Sequence, residues 1–153
     1  MPMNKKLIWV IDRHIKNTPR KGYVKDLRIK VCEMPHKIKS KVKAKDSRVY
    51  ITTKSLKHMY DVRSAQEFDF IITNIETVIT HPLKVYKNKE GKTGDVCFYC
   101  EFGNNAYFYI LDNQPDGVYI VSAYRLSEIE EKRKNYTASY KLLWSWKVDL
   151  PSS

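Results

Sequence analysis

The apolar and polar positions of the chain change period several times, and each change marks a predicted element. Ser64-Ala65-Gln66-Glu67 has the Ser-x-x-Glu spacing of a capping box. Behind it Phe68, Ile71, Ile72, Ile75, Val78 and Ile79 recur at the i, i+3, i+4 and i+7 positions of one helix face. The spacing predicts one long helix, Ser64 to Thr80. It ends at His81-Pro82, because proline cannot continue a helix and restricts the residue before it. From Leu83 the period becomes two. Strands are predicted over 83–88, 96–102, 106–111 and 118–124, with turns at 89–94, 103–105 and 113–117, which is an antiparallel meander. Ser127-Glu128-Ile129-Glu130 repeats the capping-box spacing and opens a short charged helix to about residue 134. Tyr136 to Trp146 reads as a last strand or extended segment docked on the sheet.

Upstream, residues 7–12 and 23–32 read as strands around a turn at 17–22. Between His36 and Lys45 lysine takes every second position: Lys37, Lys39, Lys41, Lys43 and Lys45. As a strand this places five ammoniums on one face, roughly 6.6–6.8 Å apart, a rail for a phosphodiester chain. The plain alternatives are a sheet edge guarded by lysine, or a disordered basic arm. Val49 to Ile51 predicts a short strand. A helix capped by Thr52 or Thr53 follows, with Leu56, Met59 and Tyr60 inward. His58 lies about 200° from Leu56 on that helix and leans outward. The predicted whole is an α+β chain, with an antiparallel sheet of about four to five strands packed on one long helix. A basic, β-rich extension covers residues 1–46 and the main domain residues 47–150.

Charge changes this picture. The 28 Lys and Arg outnumber the 17 Asp and Glu, for a net charge of +11. Residues 1–57 alone carry 17 basic and four acidic side chains, net +13, whereas the remainder is net −2. So uneven a split suits a polyanion partner, nucleic acid before anionic membrane, with solubility as the plain alternative. The length of 153 residues fits one domain at ~100–200 residues per domain. A composition of 42% hydrophobic and 29% charged residues excludes a low-complexity chain. No run of ~18 apolar residues predicts a membrane span. The apolar run Leu7 to Ile11 is too short for a signal-peptide core, so the expected setting is cytoplasmic.

Cys97 and Cys100 form a Cys-x-x-Cys pair, but inside a predicted strand they point to opposite faces. The four histidines are scattered, so neither metal nor cofactor is expected. Gly-rich phosphate loops, paired carboxylates and Ser/His/Asp signatures do not occur. What the chain has is one outward histidine, arginines, lysines and tyrosines on a basic background. That inventory fits RNA cleavage without a metal, in which the 2′-hydroxyl attacks its own phosphate. Imidazole accepts or donates the proton, and Arg or Lys stabilises the added charge. A lone histidine is also a common structural residue.

The run Val-Tyr-Ile-Thr-Thr-Lys-Ser-Leu-Lys-His-Met-Tyr-Asp from Val49, the amphipathic helix after it, and Val-Ile-Thr-His-Pro-Leu-Lys-Val-Tyr-Lys to Lys87 resemble nucleases of the barnase–EndoU–colicin–RelE-like group, phage-borne branch. Ile120-Val121-Ser122-Ala123-Tyr124 resembles that branch's later strand, and Tyr136 with Tyr140-Lys141 its closing segment. The resemblance covers about residues 47–146. It implies an endoribonuclease, toxin-like or carried by a mobile element, with tRNA as a plausible substrate and an acidic inhibitor or immunity protein as partner. It also implies His58 as acid or base, Arg63 on the scissile phosphate, and Ser122 with Tyr124 as hydroxyl groups on the sheet. Lys37, Lys39, Lys41, Lys43, Lys45, Lys54, Lys57 and Lys141 are the expected nucleic-acid contacts. A second histidine matching the pattern is missing, and some members of such families bind without cutting. The alternatives are a non-catalytic nucleic-acid-binding module, or a virion or interaction protein.

Overall fold

A computed structural model describes residues 4–146. Seven strands form one mixed sheet in the order β1-β2-β6-β5-β4-β3-β7. They are β1 (Arg28–Glu33), β2 (Arg48–Thr52), β3 (Lys84–Lys87), β4 (Val96–Phe102), β5 (Asn105–Gln114), β6 (Gly117–Arg125) and β7 (Lys141–Ser145). Among the described residues six α-helices accompany them: α1 (Lys5–Val10), α2 (His36–Val42), α3 (Thr53–Val62), α4 (Ala65–Thr73), α5 (Ile75–Thr80) and α6 (Glu130–Ala138). The predicted meander is present as β3-β4-β5-β6, antiparallel throughout. Of the predicted closing segment Tyr136 to Trp146, residues 141–145 form β7, antiparallel to β3, whereas Tyr136 to Ala138 belong to α6, which runs past its predicted end near residue 134.

The expectation of four to five antiparallel strands on one long helix is overturned. β2 runs parallel to β6, pairing Val49 with Val118 and Ile51 with Ile120. The long helix is two helices. Ser64 caps α4 as its spacing predicts, accepting from the Glu67 N–H at 3.1 Å. At Asn74 the backbone leaves helical geometry (φ −103°, ψ 6°) and the helix breaks; the Asn74 side-chain amide donates to the Phe70 carbonyl at 2.9 Å beside its own N–H at 3.2 Å. α5 then stops at His81.

The N-terminal part is not β-rich. Residues 7–12 are helical, since Leu7, Val10, Ile11 and Ile15 are buried together at helical spacing. The Asn4 side chain caps α1 by accepting from the Leu7 N–H. α1 runs on into a π-helical turn, Ile11–Ile15, where the Lys16 N–H reaches the Ile11 carbonyl at 2.9 Å. The lysine alternation is also helical. Ile38 and Val42, four apart, turn into the core, and α2 ends at Lys43 in the left-handed conformation (φ 59°). Its lysines therefore spread around a helix instead of lining one strand face.

One large core joins α1–α5 to one face of the sheet, from Leu7 and Ile38 to Val118 and Ala123. The described part of residues 1–46 belongs to that core. Tyr109 pins α4 to β5, its hydroxyl donating to the Ile71 carbonyl at 2.7 Å. The other face carries a smaller cluster of Tyr86, Cys97, Tyr99, Phe108 and Ile110, with Tyr124 and Tyr140 packed against it. α6 lies over this face, where Tyr136 meets the Phe108 ring. The capping box predicted for α6 does not form. Ser127 accepts from the Ile129 N–H, and the helix begins at Glu130.

Gly94, at the turn before β4, has φ +89°. A Cβ there would stand 2.5 Å from Ile110 Cγ2 and 3.2 Å from the Leu111 carbonyl oxygen. Gly94→Ala is expected to destabilise the chain by about 1–3 kcal/mol through overpacking and an unfavourable φ. Denaturant unfolding measures this, and an unchanged midpoint refutes it.

Candidate active site

The parallel pairing of β2 with β6 ends at Ile51 and Ile120. There β2 passes into α3, capped by Thr52, which accepts from the Ser55 N–H. β6 continues without β2, still paired with β5, through a bulge at Val121, where Ile120 faces Leu111 and Ser122 faces Ile110. Backbone groups on the edge that β2 has left need other partners. The α3–α4 junction supplies them. Arg63 Nε donates to the Ala123 carbonyl at 3.0 Å, and Glu67 Oε2 accepts from the Arg125 N–H at 3.3 Å. Arg63 and Glu67 also pair with each other at 3.5 Å.

This arrangement brings together three of the four residues expected at the site. Arg63 Nη2 donates to Ser122 Oγ at 3.4 Å, and its guanidinium lies 6.0 Å from the centre of the Tyr124 ring. Ser122 and Tyr124 share a strand face, as their spacing predicts. Tyr124 and Tyr136 are joined hydroxyl to hydroxyl at 2.7 Å, and Tyr140 donates to Tyr136 at 3.2 Å. Burial first, and then the hydrogen bond to Tyr136, raise the Tyr124 and Tyr140 phenols above their ordinary value. Both stay protonated at neutral pH; Tyr140 donates to Tyr136, and in the Tyr124–Tyr136 pair either hydroxyl can donate.

His58 stands apart. It is exposed on α3, and among the described residues it has no hydrogen-bond, ion-pair or ring partner. Five residues of helix place it about 7.5 Å along the axis and about 140° around it from Arg63. Asp61, three residues on, does not orient it. That carboxylate is held by Lys57 Nζ and the Lys21 N–H.

The lysines divide. Lys37, Lys41, Lys43 and Lys45 are exposed in and just after α2, with Lys39 half-buried among them; Lys54 is exposed on α3. Lys57 is unsuited to bind RNA. It is buried, and its ammonium is taken by Asp61 and by the Pro19 and Thr18 carbonyls. Lys141 lies opposite Lys87 in the β3–β7 pairing, near Lys89, whose ammonium sits 4.6 Å above the Tyr140 ring. Two ammoniums facing each other across a strand pair repel and favour an anion between them.

Sequence reasoning saw Glu67 only as a cap. No local signal pairs it with Arg63, which is the extended residue between the end of α3 and the Ser64 cap of α4.

Cys97 belongs to the outer cluster and Cys100 to the main core, so the pair opens to opposite faces as the strand period predicts. Burial pushes the thiols of Cys32, Cys97 and Cys100 up to about 12. At pH 8 the reactive thiolate is then a very small minority. A disulfide reagent is expected to titrate three thiols only after unfolding; rapid reaction of Cys97 or Cys100 in the native protein refutes this. Among the described residues no group of three or more His, Cys, Asp or Glu side chains is placed to hold a metal ion. No helix among them is long and apolar enough to cross a membrane. No family model, curated protein or solved structure matches this chain.

Proposed function

We propose that this protein binds RNA and cleaves it without a metal at the Arg63 cluster, the 2′-hydroxyl attacking the adjacent phosphate. The observation that carries the reading is the convergence of Arg63, Ser122 and Tyr124 at the edge of β6 beyond its pairing with β2. With Nε on the Ala123 carbonyl, the guanidinium is held in place and keeps N–H groups for a phosphate. As negative charge builds on the phosphorane, this fixed cation stabilises it with little reorganisation. The neutral Tyr124 phenol and the Ser122 hydroxyl orient the phosphate oxygens. His58 supplies the proton transfer from a neighbouring position along the bound strand. A cytoplasmic, toxin-like or mobile-element role, tRNA as the substrate and an acidic inhibitor belong to the same reading. The net charge of +13 over residues 1–57 supports a polyanion and an acidic inhibitor alike.

The separation of His58 from the cluster favours a second reading, an RNA-binding module that does not cut. Incubation of the wild type and His58→Ala with tRNA and single-stranded RNA in excess EDTA separates the two. Discrete products ending in 2′,3′-cyclic phosphate from the wild type alone support cleavage through His58. Salt-sensitive binding by both without products overturns cleavage and leaves the binding module.

A further inference from the structure

The outward stripe of α1 has no role in the core or in the Arg63 cluster. Leu7 and Val10 are buried, so the helix already spends its apolar face on the protein. Yet at the middle of its solvent side stands Trp9, 52% exposed. At 100° per residue Lys5 and Lys6 lie within about 60° of it. The π-helical turn brings two more groups to the ring. The Arg13 guanidinium sits 5.2 Å from its centre, and the His14 ring meets it edge-on at 5.8 Å. Among the described residues Lys5, Lys6 and Arg13 form no ion pair. An indole with an unpaired guanidinium at its ring and two unpaired lysines on the same helix face, still half open to solvent, combines the two parts of a single-strand binding surface: a stacking face and charge for the backbone.

We propose that Trp9 stacks a base of single-stranded RNA, with Lys5, Lys6 and Arg13 on the flanking phosphates. This rests on the RNA-binding half of the function proposed above and not on cleavage. A duplex keeps its bases stacked on one another and cannot offer one to the indole, so the surface discriminates in favour of single strands. A membrane surface fits less well, because the apolar residues an interfacial helix inserts are here buried in the core.

The test uses the full chain and a short labelled 2′-O-methyl RNA, which lacks the attacking hydroxyl and stays intact. Its single-strand and duplex forms are titrated by fluorescence anisotropy at one salt concentration. Trp9→Ala is expected to weaken single-strand binding about tenfold, the scale of one lost base stack. Trp9→Phe restores most of that loss, and duplex binding changes little. Equal single-strand affinity in the wild type and Trp9→Ala overturns the proposal, as does equal loss on strand and duplex. Trp9-dependent sedimentation with phosphatidylserine vesicles, without strand binding, also overturns it. Cleavage of RNA combined with an unchanged Trp9→Ala affinity sinks this inference and spares the cleavage reading. Trp9-dependent strand binding without any cleavage upholds it and removes the cleavage reading.

Discussion

Arg63→Ala is expected to lower RNA cleavage about 100- to 1,000-fold, the usual cost of removing one fixed donor from a developing charge. The loss falls mainly in kcat, because the charge Arg63 answers is largest in the phosphorane. Arg63→Lys keeps the positive charge but not the fork, and a lysine cannot hold both the Ala123 carbonyl and Ser122 as the guanidinium does. It is expected to recover only a small part of the rate. Arg63 also covers a strand edge, so the Ala variant leaves the Ala123 carbonyl to water at a cost of about 1 kcal/mol. Assays well below the melting temperature separate that cost from the catalytic one. An Arg63→Ala variant that is folded and cuts at the wild-type rate removes Arg63 from the chemistry.

Asp61→Ala is expected to destabilise the fold by about 3 kcal/mol, the lower end for breaking a buried ion pair. Lys57 and Asp61 are 6% and 11% exposed and paired at 2.5 Å. Removing Asp61 leaves an ammonium in the interior with the Pro19 and Thr18 carbonyls as its acceptors. It also frees the Lys21 N–H that Asp61 holds at 2.9 Å, loosening the turn that docks against α3. Burial alone would raise the Asp61 carboxyl, but the hydrogen bonds from Lys57 and the Lys21 N–H bring it below its ordinary value of 3.8. A carboxyl lowered by folding stabilises fully above its unfolded value, and that stability is lost as pH falls through the folded one. The difference between the wild type and Asp61→Ala is therefore constant near neutrality and shrinks only below pH 3.8. Urea unfolding at a series of pH values reads both effects. A difference that persists unchanged into strong acid contradicts the charged pair.

Lys57 also shows where residue type misleads. In the sequence it is one more cation of a basic segment. In the fold it is a buried tie between α3 and the turn at 18–22, and Lys54 three residues earlier is the exposed one. Likewise the five alternating lysines carry two periods at once. The alternation reads as a strand, while Ile38 and Val42 four apart read as a helix face. Burial of those two residues decides between them, because local pattern is a weaker force than packing. At Leu7 to Ile11 the continuous apolar run hides the helical period in the same way.

Elements whose local signals agreed followed from neighbouring residues alone. The Ser64 cap, the stop at His81-Pro82, the β3–β6 meander and the opposed cysteines were legible because capping, period and turn chemistry act within a few residues. The shared face of Ser122 and Tyr124 was legible for the same reason. Long-range packing set the parallel pairing of β2 with β6, and with it the edge of β6 that Arg63 and Glu67 cover. It alone joined Tyr124 to Tyr136 and left His58 apart from both. Strand order and the meeting of side chains from distant segments depend on which apolar faces bury against each other. That is a property of the whole core, and no window of neighbouring residues contains it.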